Sequence, residues 1–181
     1  MLAIEVTVCR DPSGMPDVAE VESLYFAAFG EKPLRESRKT AAQFSQLYGL
    51  LSSRADLVSV FVRVPQSGEL AGFAYGHPWL WTEQTDEWAG QLWHRLGDAA
   101  THLEGRFAVY LLAVRPSYRR QGLGRVLLRT LLEAAGAERA WLITRDEPTP
   151  AMGMYMAEGW QPVGHGPDTP NGRPGLVLTV G

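Results

Sequence analysis

Cysteine is almost absent from this 181-residue chain, in which Cys9 stands alone. A single thiol excludes an internal disulfide and a cysteine-built metal cluster, and with no activating neighbour it reads as a small buried hydrophobe. Long apolar runs are missing too. No uncharged stretch approaches the roughly 20 residues that span a bilayer, and the start Met1-Leu2-Ala3-Ile4-Glu5 lacks a basic segment followed by an apolar one. No membrane partner and a cytoplasmic location are therefore expected. His77 and His165 are isolated and lack matched carboxylates, so both are expected to be structural or exposed, with no metal site. There is no internal repeat and no low-complexity tract.

What is present suits one domain over residues 1–181, with 45% hydrophobic and 20% charged residues. The net charge of −3 argues against a nucleic-acid partner, but its distribution is uneven. From Arg106 to Arg145 there are eight arginines against Glu133 and Glu138, whereas Trp79 to Glu104 holds five acids against Arg95. Solvated surface charge would produce this, and so would a polyanionic cofactor beside a cationic substrate.

Apolar spacing predicts helices over 16–30 and 40–51, and β-rich runs predict a hairpin of 57–64 and 69–75 turning at Pro65-Gln66-Ser67-Gly68. Phe107 to Val114 is almost wholly apolar and ends at Arg115-Pro116, as a strand buried on both faces does. Val126, Leu127, Leu128, Leu131, Leu132 and Ala135 then form a helical stripe that stops near Gly136. A strand over 139–144, a short helix over 150–158 and closing strands over 160–163 and 176–180 complete the order α, α, β, β, β, α, β, α, β, β. That mixture predicts an α/β (α+β mixed) fold. A Trp-rich insertion at 78–105 interrupts it, with Trp88, Leu92, Arg95 and Leu96 at helical spacing. It reads either as an amphipathic helix packing its tryptophans on the core or as a lid over an acceptor site.

The chemistry concentrates where a strand passes through Arg119-Arg120-Gln121-Gly122-Leu123-Gly124-Arg125 into a helix. Amides at a helix N-terminus converge on one spot, the helix dipole favours negative charge there, and glycine removes the Cβ that would hold an anion away. Arg119, Arg120 and Arg125 add positive charge. A Walker A loop would need Lys-Ser or Lys-Thr after its last glycine, where Arg125-Val126 stands, and a dinucleotide fingerprint would need glycine at Leu127.

This turn resembles the signature of the GNAT acetyltransferase family: Arg or Gln, two residues, Gly, one residue, Gly or Ala. Arg119, Gly122 and Gly124 fill it, and Leu112-Ala113-Val114-Arg115-Pro116-Ser117-Tyr118 is similar to the family's approach to the loop. Downstream, Tyr155, Gly159 and Trp160 are similar to the family's late helix, in which a tyrosine precedes a Gly-aromatic pair. The asparagine that often stands before that tyrosine is replaced here by Glu147-Pro148-Thr149-Pro150, where Thr149 could cap the helix.

The resemblance implies a GNAT fold, with a central mixed, mostly antiparallel sheet flanked by helices on both faces. It implies acetyl-CoA as cosubstrate, held by Leu112, Ala113, Val114, Arg119, Arg120, Gln121, Gly122, Leu123, Gly124 and Arg125. A backbone N–H of the central strand near Val114 would face the thioester oxygen, that strand and its neighbour would splay to receive pantetheine, and Tyr155 would be the acid for the departing thiolate. The base stays open between Glu104, His102 and a relay from Tyr110 through water, because the cleft-facing series Ala108, Tyr110, Leu112, Val114 contains neither carboxylate nor histidine. The implied function is an N-acetyltransferase acting on a primary amine of a small molecule or protein, and the acids between Glu83 and Glu104 suit a cationic acceptor. A non-catalytic acyl-CoA-binding module and a protein-interaction domain are the alternatives; a homodimer is compatible with all three, dimers being the commonest oligomers.

Overall fold

A computed structural model describes residues 4–181; Met1, Leu2 and Ala3 of the N-terminal stretch lie outside them. It contains seven strands and five α-helices: β1 Thr7–Cys9, α1 Val18–Phe29, α2 Arg38–Leu51, β2 Val58–Arg63, β3 Leu70–Pro78, α3 Glu87–Leu96, β4 Phe107–Val114, α4 Leu123–Ala135, β5 Ala140–Thr144, α5 Pro150–Ala157, β6 Gln161–Asp168 and β7 Pro174–Val180. The hydrogen-bonded order is β1-β2-β3-β4-β5-β7-β6. Pairing is mostly antiparallel, with a parallel β4–β5 ladder registered at Phe107↔Ala140 and Ala108↔Trp141. No helix among the described residues is long and apolar enough to cross a membrane.

The chain forms two compact units, and β4 runs from one into the other. The first extends to His77 and resumes over Tyr110–Ala135. Its core is aromatic: Tyr48 meets Phe73 and Tyr75 edge-on at 5.1 Å, and the Tyr48 hydroxyl donates to the Pro16 carbonyl at 2.6 Å. Helix α1 starts from a reciprocal capping box, Asp17 accepting from the Glu20 amide while Glu20 accepts from that of Asp17. Helix α4 lies close to β3, since a Cβ on Gly72 would come within 2.7 Å of Leu127 Cδ1. This close approach explains a glycine in mid-strand and holds the start of α4, where Leu123 is buried.

The second unit comprises Pro78–Val109 and Gly136–Gly181. Its tryptophans form an edge-to-face chain, Trp141 to Trp79 at 4.9 Å, Trp79 to Trp81 at 5.2 Å and Trp81 to Trp93 at 4.9 Å. Arg106 is buried and is answered by carbonyls, donating to His102 at 2.7 Å, Val180 at 2.7 Å and Gly181 at 3.0 Å. Burial, with Arg139 nearby, lowers its pKa from the usual guanidinium value.

Helix α3 is the α-helical part of the insertion. It buries Ala89, Leu92 and Leu96, while Trp88 and Trp93 remain 39% and 46% exposed. The helix exists as the spacing predicts, but its tryptophans do not form its buried face; of the insertion's indoles, Trp79 is the one in the core. Leucines 92 and 96 meet β6 where it has no side chain. A Cβ on Gly166 would fall 2.9 Å from Leu92 Cδ1, and one on Gly164 would fall 3.0 Å from Leu96 Cδ2. Arg95 closes the joint by donating to Asp168 at 2.8 Å and to the Gly166 carbonyl at 3.1 Å.

Candidate active site

The glycine turn is built from the first unit. Strand β4 alternates as a sheet strand must, with Leu111 and Ala113 buried and Tyr110, Leu112 and Val114 partly buried. At its end the Arg115 amide donates to the Ala71 carbonyl at 2.9 Å and the Arg115 side chain to the Leu70 carbonyl at 3.0 Å, clamping the exit of the strand onto β3. One 3-10 turn, Pro116–Tyr118, follows, and the Tyr118 and Arg119 amides donate back to Arg115 and Pro116 at 2.9 and 3.2 Å.

Beyond that turn the backbone changes hand twice, at Arg120 with φ 61° and at Gly122 with φ 76°. An added Cβ on Gly122 would meet nothing within 4 Å, so conformation and not crowding by the chain makes glycine the fitting residue. Arg120 accepts the same left-handed region without that freedom, a strained placement for a side chain kept at the surface. The first helical bond of α4 runs from the Val126 amide to the Gly122 carbonyl at 3.0 Å. Amides from Gln121 to Gly124 thus follow the 3-10 turn and precede the helical ladder, in the alternating backbone that forms anion-binding nests. Arg120, Gln121, Gly122 and Arg125 are exposed around them. Arg119, by contrast, turns its guanidinium to the Ala28 carbonyl at the end of α1. The arrangement fits a pyrophosphate, with backbone donors, positive charge and an open approach combined in one turn.

Tyr155 lies in the second unit. Helix α5 begins at Pro150 with Thr149 as its cap, accepting the Met152 amide at 3.1 Å. Thr149 therefore starts the helix where the family often has asparagine upstream. Tyr155 is buried, with its ring 5.9 Å from that of Trp160, and burial pushes its phenol up to about 12. It stays protonated throughout the neutral range. Gly159, at φ 85°, reverses the chain so that the Trp160 amide reaches the Tyr155 carbonyl at 3.0 Å. This is the physical content of the Tyr155, Gly159, Trp160 spacing.

The candidate bases sit on different stretches of the chain, His102 in the 3-10 helix Gly97–Leu103, Glu104 just after it and Tyr110 on β4. The Glu104 carboxylate accepts the Trp81 amide at 2.8 Å, which ties it to the insertion, and His102 is exposed. Tyr110 is sandwiched in the first unit, stacked on Tyr75 at 5.8 Å and on His77 at 4.8 Å. His77 is buried. His165 is exposed but not isolated, since its Nε2 lies 2.7 Å from Asp146 Oδ2. That histidine–carboxylate pair is hidden in sequence because its members stand 19 residues apart, His165 on β6 and Asp146 in the loop after β5. Among the described residues no group of three potential metal ligands occurs. Cys9 is partly buried against the first core, and its thiol donates to the Asp11 carbonyl at 3.2 Å.

Residues 17–160 match the Acetyltransferase (GNAT) family. A stretch of 58 residues is 36% identical to an uncharacterized protein of Mycobacterium leprae, covering 32% of this chain and 16% of that protein. Among solved structures, the histone acetyltransferase HPA2 and related acetyltransferase of Corynebacterium glutamicum is similar over 99% of this chain and 96% of its own, with a TM-score of 0.63 at 22% identity. The ribosomal-protein-S18-alanine N-acetyltransferase of Escherichia coli is similar over 97% and 93%, with a TM-score of 0.59 at 19% identity. The yncA protein of Salmonella typhimurium, solved with its cofactor acetyl-CoA, is similar over 99% and 94%, with a TM-score of 0.55 at 13% identity. With 144 of its 181 residues inside the family match, the chain belongs to the GNAT acetyltransferase family.

Proposed function

We propose that this protein transfers an acetyl group from acetyl-CoA to a primary amine, with the pyrophosphate on the Gln121–Gly124 amides and Tyr155 beside the departing sulfur. The observation that carries the reading is the turn itself, where two left-handed residues and a helix start combine in an exposed, arginine-flanked loop. Leu112, Ala113 and Val114 would line the pantetheine arm, with a strand amide donating to the thioester oxygen as it gains negative charge. Gly122, Leu123 and Gly124 would leave the phosphates room, and Arg120 and Arg125 would add charge, with Arg119 bracing the loop.

The amine nitrogen attacks the carbonyl carbon, the C–N bond forms, the C–S bond breaks, and the electron pair leaves on sulfur. A phenol near 12 is a much weaker acid than a thiol near 8.5, so Tyr155 acts chiefly by donating a hydrogen bond to the forming thiolate. The amine's proton goes to a base, for which we propose Glu104, with His102 and a Tyr110 water relay as the competing assignments. Thiol release measured across a panel of amines with acetyl-CoA tests the whole reading. Turnover with at least one amine, falling about tenfold or more in Tyr155→Phe at unchanged acetyl-CoA affinity, is the expected result. Binding without turnover on any amine would leave an acyl-CoA-binding module, and no binding would remove the phosphate assignment as well.

A further inference from the structure

The insertion contains a cavity of about 320 Å³, lined by Trp81, Gln84, Ala89, Gly90 and Trp93. That volume lies at the lower end of the range for small-molecule sites, roughly 300–1,000 Å³. Its two indoles stand at 85° to each other with centroids 4.9 Å apart, making an aromatic corner. Trp81 is fixed at both ends, its amide donating to Glu104 and its indole N–H to the Ala100 carbonyl at 2.9 Å. With that N–H used elsewhere, Trp81 has only its ring to offer a ligand. Trp93 stays half-exposed although it is among the largest apolar side chains in the chain.

Gly90 adds the second argument. It stands within α3, where glycine costs about 1 kcal/mol relative to alanine. A Cβ there would meet nothing within 4 Å, so packing does not require the glycine. Gly90 lines the cavity, and its missing side chain leaves that wall open. Charge is the third argument. The indole face attracts cations, and the surrounding segment carries Glu83, Asp86, Glu87, Asp98 and Glu104 against Arg95, which is already bound to Asp168. The positive end of the α3 dipole is answered by Asp86, which caps the Ala89 amide at 2.8 Å, and by Glu87.

We propose that the Trp81–Trp93 corner and the open face at Gly90 form a binding site for an alkylated ammonium group, held by ring faces in an acidic segment. The site is independent of the acyl-transfer reading, because its occupancy is measured without acyl-CoA. Calorimetric titration of the full chain with choline and with 3,3-dimethylbutan-1-ol, which has nearly the same shape without the charge, tests it. Choline should bind at least about tenfold more tightly than the neutral isostere. Trp93→Ala and Gly90→Leu should each lose about tenfold or more of that affinity, Gly90→Leu at an equal or higher Tm, while Trp88→Ala, outside the cavity, keeps wild-type binding. Equal binding of the two probes, no choline binding, or full affinity in both Trp93→Ala and Gly90→Leu would overturn the proposal; should Gly90→Leu fail to fold, Trp93→Ala at its half-exposed position decides alone.

Discussion

The two sites proposed above, the glycine turn and the tryptophan corner, would take groups of opposite charge by opposite means. The turn works with its backbone: reversed φ angles at Arg120 and Gly122 and amides at the start of α4. The corner works with side chains, whose ring faces depend on Trp81 being held by Glu104 and Ala100. A backbone site therefore leaves a compact sequence signature, whereas a side-chain site depends on packing that no short motif records.

The largest effect that would sharpen this contrast is expected at Gly122. A valine forced to φ 76° should weaken acetyl-CoA binding by about 100-fold or more, roughly 2.7 kcal/mol, while the choline site is unaffected. Calorimetry on the folded variant checks it, and unchanged acetyl-CoA affinity would break the backbone account. Next comes Gly166→Val, which would press a side chain against Leu92, Ile143 and Val177. It should cost about 2 kcal/mol, or roughly 4–8 °C in Tm, and weaken choline binding while acetyl-CoA affinity stays within about twofold. Arg120→Ala should weaken acetyl-CoA binding by only about fivefold, since the backbone donors remain.

A different kind of effect appears in alkali. Tyr155 is raised to about 12, and burial raises Tyr48 and Tyr75 as well, against about 10 in the unfolded chain. The folded state holds these protons longer, so its stability is intact below about pH 10 and declines as pH rises toward 12 and beyond. Denaturant melts at pH 9, 10 and 11 should show that decline, and Tyr155→Phe should make it shallower.

The limits of β4 were legible to the residue because its apolar run is unbroken and ends at Arg-Pro. The stripe of α4 is legible at Leu127, Leu128 and Leu131, but Val126 is exposed and Leu123 is buried on that helix instead; the Thr149 cap is legible too. Strand β1 went unread, being three residues long and largely exposed, with too few positions for alternation to register. The sequence pattern ends the strand after α5 near Val163, whereas β6 continues to Asp168. Pro162, Gly164, Gly166 and Pro167 look like breakers, yet this terminal strand of the sheet accommodates them with register shifts. In α3 the periodicity was correct and the face was rotated, because tryptophan reads as a core residue and here Ala89 takes the buried position instead of Trp88. In the candidate site, the turn and Tyr155 were visible as local patterns. The pairing of His165 with Asp146 and the stack of His77 on Tyr110 were not, because each exists only through tertiary folding.

The two leucine slots on β6 act as a vernier. Leu92 and Leu96 are four helical residues apart, about 6 Å along the axis, and Gly166 and Gly164 are two strand residues apart, about 6.6 Å, in the reverse chain order. The two scales coincide at one setting. Sliding the helix by one turn would bring Trp88 toward a notch only as deep as a missing methyl group, where an indole has no room. The azimuth of α3 is thus dictated by two absent side chains, and with it the direction in which Trp93 faces solvent.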